Sequence, residues 1–327
     1  MDPSAPDAAT IARAAEVIRS GGLVAMPTET VYGLAGNALE PASIARIYAA
    51  KGRPSQNPLI AHVADAAQAQ ALAAEWPAMA RALAARFWPG PLTLVVRRKA
   101  IIPDALTAGL DTFGVRVPDH PVALALIRAA GVPLAAPSAN RFTEVSPVTA
   151  AQVARGLGAA VDIILDAGHT RVGIESSVVD VSGGRPVLLR PGMISQQAIE
   201  SVVGPLTRHR GATADTAPRP APGMAARHYA PRARVELVPI GHIAQALAAL
   251  RADVGAVGCL LHSQDAPPAL AFARRLPDSP ERYAAALYDG LHDADAAGCQ
   301  VLLVEDVPPD AAWDAIRDRL TRAAHPR

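Results

Sequence analysis

From Thr10 to Gly204 the chain alternates short apolar runs, bounded by proline or glycine, with longer amphipathic stretches, and this confines it to the α/β class. The reading predicts helices over Thr10–Ser20, Pro41–Ala50, Ala66–Ala74, Ala78–Phe87, His120–Ala130 and Thr149–Leu157, the last capped by Thr149. Strands are predicted at Leu23–Met26, Leu59–Val63, Leu92–Arg97, Gly114–Val117, Val132–Ala136 and Ile163–Asp166, with Ser177–Val181 and Val187–Arg190 as a hairpin. The pattern fails from Pro205 to Pro231, where five prolines stand among Gly, Thr and Ala without an amphipathic period. Such a stretch has no face to bury and reads as a linker. Alternation then resumes, with strands at Val235–Val238, Gly255–Leu261 and Val301–Val304 and helices at His242–Arg251, Pro280–Ala294 and Ala311–Ala323. The expected organisation is an α/β domain over 1–204, a linker over 205–232 and a small α/β domain over 233–327.

Composition removes several functional classes. A net charge of +1 in 327 residues, with only 4% aromatic residues, argues against a generic binder of nucleic acid. Cys259 and Cys299 have no partner at zinc-site spacing, so neither a metal site nor a disulfide framework is expected. No apolar run approaches the ~18 residues that a membrane span needs, and the N-terminus carries Asp2 and Asp7 where a leader would be basic. A cytoplasmic location is expected.

The chemistry concentrates at the ends of strands. PTETVYGLAG, Pro27 to Gly36, follows the first strand and sets Thr28, Glu29, Thr30 and Tyr32 before two glycines. Open α/β sheets place ligands at such positions. KGRPSQNPLIAH, Lys51 to His62, brings Lys51 and Arg53 onto a bent loop, with Asn57 before the next strand, and a cation pair of this kind suits phosphate. The chain has 31 Lys plus Arg but only two lysines, Lys51 and Lys99, which suggests that Lys51 is needed as a compact ammonium. PGPLTLV places Thr93 at a strand start, and GVRVPDHP sets Arg116 opposite its neighbouring valines, where an arginine calls for an anionic partner. APSAN supplies Ser138 and Asn140 with Ser146 beyond, GIESSVVD supplies Glu175, Ser176 and Ser177, and LLRPG supplies Arg190. Each alone reads as a cap, turn or structural ion pair; recurring at successive strand ends, they read as one polar site. His62 reads equally as a core histidine or a ligand contact. The chain contains no GxxxxGK[ST], GxGxxG, HExxH or GxSxG, so a nucleotide would be held without a P-loop or dinucleotide turn.

PTETVYGL, KGRP followed by NPL, PGPLT, RVPDHP, APSAN, SPVT, IESSVVD and LRPG stand in one order from Pro27 to Gly192, and in that order the chain resembles the two-domain threonylcarbamoyl-adenylate synthases of the YrdC-type family. PGMAARHYAP, Pro222 to Pro231, is similar to the family segment that closes over the active site. The resemblance implies a YrdC-type twisted-sheet catalytic domain with a small Rossmann-like C-terminal domain, and a lid containing His228 and Tyr229. It implies synthesis of threonylcarbamoyl-AMP and pyrophosphate from L-threonine, bicarbonate and Mg2+-bound ATP, with no organic cofactor. The product would feed the downstream tRNA threonylcarbamoyl-transfer machinery, without stable tRNA binding by this chain. Carried over by position, Thr30, His62, Arg116 and Ser176 would hold threonine. Tyr32, Lys51, Arg53, Asn57, Thr112, Ala136, Ser138, Asn140, Ser146 and Arg190 would hold ATP, with Lys51 and Arg53 as the catalytic cations. The chain departs from the family pattern at Phe142 and Thr143, where a Ser-Gly pair is common, and at Ala226, where a lysine is often found. The competing reading is a non-catalytic RNA-binding module, which the near-neutral charge disfavours. Carbamoyl transfer in metal-cofactor maturation would require zinc fingers that two cysteines do not allow.

Overall fold

A computed structural model describes residues 6–209, 220–250, 255–268 and 270–326. The chain forms two compact units: Met1–Phe142, Pro147–Arg171 and Glu175–Ala225 in the larger, and Thr143–Ser146, Val172–Ile174 and Ala226–Arg327 in the smaller.

The larger unit is built on one mixed ten-stranded sheet. In chain order its strands are β1 (Val24–Met26), β2 (Gly33–Asn37), β3 (Ile60–His62), β4 (Leu92–Arg97), β5 (Thr112–Arg116), β6 (Leu134–Ala135), β7 (Ile163–Ile164), β8 (Ser177–Asp180), β9 (Val187–Arg190) and β10 (Thr207–Arg208). They lie in the order β10-β9-β8-β4-β5-β3-β6-β2-β1-β7. Both faces are covered, as the strand period requires: Leu23 and Ala25 enter one apolar cluster with Leu34, Ile44, Ile47, Leu94 and Val115, whereas Val24 and Met26 enter another with Ile11, Ile18 and Leu126. Capping fixes where the helices start and stop. Thr149 and Gln152 form a capping box at the head of the Ala150–Leu157 helix. Gly52, at φ 59°, ends the Pro41–Lys51 helix in the left-handed conformation that glycine adopts without strain. The chain therefore turns directly after Lys51, and Arg53 follows the turn.

The smaller unit holds four strands, β11 (Arg234–Val238), β12 (Val257–Leu261), β13 (Phe272–Arg275) and β14 (Val301–Glu305), all parallel in the order β11-β14-β12-β13. Cys259, Leu261, Val301 and Leu303 meet Val238 and Ile243 in its core.

Several elements differ from expectation. β2 begins within PTETVYGLAG, which read as a ligand loop; its Gly-Leu-Ala-Gly-Asn composition lacks a β-branched signal. The glycines are there for close approach: a Cβ on Gly36 would stand 2.7 Å from Ser43 Oγ, and one on Gly33 would stand 3.2 Å from Ala136 Cβ. Val132–Ala136 and Ile163–Asp166 contract to the two-residue strands β6 and β7, because pairing extends only that far. The Gln196–Val203 helix and β13 were not anticipated from the sequence. Within the stretch read as a linker, 205–232, Thr207–Arg208 pairs with β9, 210–219 lie outside the described residues, and Ala221 and Met224 bury against Val95, Val178 and Leu189.

Candidate active site

Most of the residues singled out by the sequence sit in the larger unit, where they form three local groups. In the first, Arg116 ends β5 beside His62 on β3, the two being register partners. The Arg116 guanidinium donates from Nε to the Gly90 carbonyl at 3.2 Å and from Nη2 to Thr30 Oγ1 at 3.0 Å. Nη2 also lies 2.7 Å from Glu29 Oε1, in an ion pair whose side chains are 5% and 1% exposed. This is the anionic partner that Arg116 was expected to have, and it comes from the protein. The sequence places Glu29 in the first motif but gives it no role of its own; the signal was an acidic residue between two threonines directly after a buried strand. His62 is buried and its Nδ1 has no hydrogen-bond partner among the described residues. Burial, reinforced by the Arg116 charge, lowers its pKa to about 3, so the ring is neutral at physiological pH.

In the second group Thr93 and Ser176 share a hydroxyl hydrogen bond of 2.8 Å. Arg190 donates from Nη2 to Ser176 Oγ at 3.1 Å, from Nε to the Ser176 carbonyl at 3.0 Å, and from Nη1 to the Pro222 carbonyl at 3.2 Å. Gly192 lets this loop close, because a Cβ there would meet the Ser177 nitrogen at 2.3 Å.

The third group is the cation loop. Lys51 is 2% exposed, and its ammonium donates to the carbonyls of Ser138 and Asn140 in APSAN. Arg53 donates to the carbonyls of Asn57 at 3.1 Å and Pro58 at 3.0 Å, and its guanidinium carbon lies 5.7 Å from the centre of the Phe142 ring. Phe142, one of the departures from the family pattern, thus stacks on a candidate catalytic cation. Ala136 begins the APSAN turn, donating its N–H to the Ile60 carbonyl at 3.1 Å.

The other predicted residues have contacts of their own. Tyr32 is fully buried; its hydroxyl donates to the Gly168 carbonyl at 2.7 Å and accepts from the Ala167 N–H at 3.2 Å, and burial pushes its pKa up to about 12. Thr112 opens β5 opposite Arg97, four residues or roughly 13 Å along the strand from Arg116. Ser146 belongs to the smaller unit, where its carbonyl accepts from His292 Nε2 at 3.2 Å. His228 and Tyr229 are also in the smaller unit and buried. Tyr229 stacks on Tyr288 and takes the Arg319 guanidinium at 4.9 Å from its ring centre.

Comparison with known proteins bears on both units. A family model described as telomere recombination, covering the Sua5, YciO and YrdC proteins, matches residues 16–192. The model of the threonylcarbamoyl-AMP synthase C-terminal domain matches residues 194–325. The protein named threonylcarbamoyl-AMP synthase in Pyrococcus abyssi is 43% identical over 95% of this chain and 93% of its own length. Its namesake in Bacillus subtilis is 41% identical over 96% and 92%. The crystal structure of P. abyssi Sua5 complexed with L-threonine superposes with a TM-score of 0.92, at 41% identity, covering 98% of this chain and 95% of that one. With both models matched in series and relatives similar across nearly the full length, the chain belongs to the Sua5/YciO/YrdC family, in the form that carries the threonylcarbamoyl-AMP synthase C-terminal domain.

Proposed function

We infer that this protein forms threonylcarbamoyl-AMP and pyrophosphate from L-threonine, bicarbonate and ATP. The observation that carries the reading is the near-full-length similarity to proteins bearing that name, joined to a site whose groups suit the reaction. No protein nucleophile is required. Once threonine's amine has been carbamoylated, the carbamate oxygen attacks the α-phosphorus of ATP and pyrophosphate leaves. Arg116, Thr30, His62 and Ser176 hold threonine in this scheme. A neutral His62 fits it, since the ring can share a hydrogen bond without adding charge.

Lys51 and Arg53 are assigned to the phosphates. Both are preorganised by carbonyls before ligand arrives, so little reorganisation is needed as charge moves toward pyrophosphate. Among the described residues no group of three His, Cys, Asp or Glu side chains could hold a metal. Magnesium fits best as an ion carried by ATP, held by phosphate oxygens and water, where it neutralises charge on the leaving group. Asn57, Ser138, Asn140, Ser146 and Arg190, with Tyr32, Thr112 and Ala136, are kept as ATP contacts on the strength of the resemblance, as are His228 and Tyr229 as a lid. No described helix is long and apolar enough to cross a membrane. We place the reaction in the cytoplasm, upstream of threonylcarbamoyl transfer to tRNA.

The test is pyrophosphate release from ATP, magnesium and bicarbonate with L-threonine, L-serine or no amino acid. Threonine-dependent release is expected, falling at least a hundredfold in Lys51→Ala. Folded protein that releases no pyrophosphate with threonine would overturn the reading.

A further inference from the structure

We propose that Glu29 receives the α-ammonium group of the amino-acid substrate and accepts one of its protons. This deepens the threonine reading and rests on it. Glu29 is 1% exposed, yet neither carboxylate oxygen accepts a hydrogen bond among the described residues. Its approach to Arg116 at 2.7 Å is an ion pair without hydrogen-bond alignment. A buried carboxylate is ordinarily surrounded by donors, because water that would otherwise solvate it has been removed.

The neighbouring hydroxyls cannot supply the missing donors. Thr28 Oγ1 donates its single hydrogen to the Val31 carbonyl at 2.7 Å, so in the 2.8 Å contact between Thr28 and Thr30 the hydrogen belongs to Thr30. Thr30 Oγ1 in turn accepts from Arg116. Both hydroxyl hydrogens are thus committed, and Glu29 is left able to accept from a bound ligand.

An ammonium group fits best. It brings three donors and a positive charge, whereas bicarbonate or a phosphate would meet Glu29 as like charge. A buried anion beside a buried cation is also the electrostatic complement of a zwitterion, with the substrate carboxylate toward Arg116 and its ammonium toward Glu29. The other groups bearing on this charge are Arg116 on β5 and His120, which caps the Pro121–Ala130 helix and whose pKa burial lowers. When the amine is carbamoylated by bicarbonate, the N–C bond forms and the C–OH bond breaks. Of the two ammonium protons lost, one leaves with hydroxide as water and the other passes to Glu29.

Calorimetric titration with L-threonine and with 2,3-dihydroxybutanoate, its analogue with hydroxyl in place of the amine, separates the possibilities. The unmodified protein should bind threonine about tenfold or more tightly than the hydroxy acid. Glu29→Gln should lose that preference by weakening threonine alone, and Glu29→Asp should keep it. The pyrophosphate-release rate of Glu29→Gln should recover, relative to the unmodified protein, as pH approaches the range of the free amine. Equal weakening of both ligands, as when Glu29 only props Arg116, would overturn the proposal, as would an unchanged preference. If Glu29→Gln does not fold, as monitored by thermal unfolding, loss of the preference in a folded Glu29→Asp would count against the proposal and retention would support it. Failure of the unmodified protein to bind threonine at all would instead remove the functional reading beneath it.

Discussion

Each unit buries a glutamate near the end of a strand, and the two are treated in opposite ways. In the smaller unit Glu305 ends β14 and is fully buried; its carboxylate accepts from the backbone N–H groups of Gly241, His262 and Ser263, from the Ser263 hydroxyl, and from Gln264 Nε2 at 3.2 Å. Burial would raise its pKa, but these hydrogen bonds outweigh that and hold it at about 2. Glu29, in the larger unit, has Arg116 obliquely beside it and, among the described residues, no hydrogen-bond donor. The carboxyl ends of parallel strands are where ligands commonly sit, yet in the smaller unit that edge is laced together by the chain's own donors. A satisfied buried charge is a structural clasp, and an unsatisfied one marks a place for a ligand.

The largest effect that would sharpen this contrast is removal of the Arg116 cation. Arg116→Ala would leave Glu29 buried without a counter-charge and should cost roughly 4 kcal/mol of stability. Thermal or denaturant unfolding measures it, and Arg116→Ala combined with Glu29→Ala should recover much of the loss; no recovery would mean that Arg116 acts mainly through other contacts.

Acid should discriminate the two glutamates next. The folded pKa of Glu305 lies below its ordinary value of 4.5, so its stabilisation is fully present above about pH 4.5 and is lost as pH falls toward 2. Melting temperature followed across that window should fall more steeply in the unmodified protein than in Glu305→Gln, which lacks the titrating group. Parallel profiles would show that Glu305 is not the clasp described here.

The smallest effect is expected at a single strand of that clasp. Ser263→Ala removes the hydroxyl donor but leaves three backbone N–H groups in place, so a loss of only about 1 kcal/mol is expected in chemical denaturation. A loss as large as that of Arg116→Ala would break the comparison, because it would mean that Glu305 also depends on one partner.

Much of the larger unit was legible before any coordinates. Thr149 as a cap, the amphipathic helix after His120 and the apolar β4 all carry their signals within a few residues, and local chemistry decides them. β2 was not legible, since glycines chosen for close approach to Ala136 and Ser43 look like loop residues until those neighbours are in place. The site divided along the same line. Lys51, Arg53 and Arg116 could be nominated from residue type and position, but Glu29 could not be told from an ordinary turn acid, because its lack of donors exists only once Thr28, Thr30 and Arg116 are assembled around it.

The sequence by itself determined the α/β class and the recurrence of cations and hydroxyls at the ends of successive strands. These follow from periodicity, capping and residue chemistry, which act over a turn of helix or a length of strand. Only the tertiary structure decided that Lys51 is held by Ser138 and Asn140, that Tyr32 spends its hydroxyl on Gly168 and Ala167, and that Glu29 has no donor among the described residues while Glu305 is surrounded by them. Hydrogen-bond satisfaction joins residues scores of positions apart, so it is a property of the packed chain and is written in no local stretch of it.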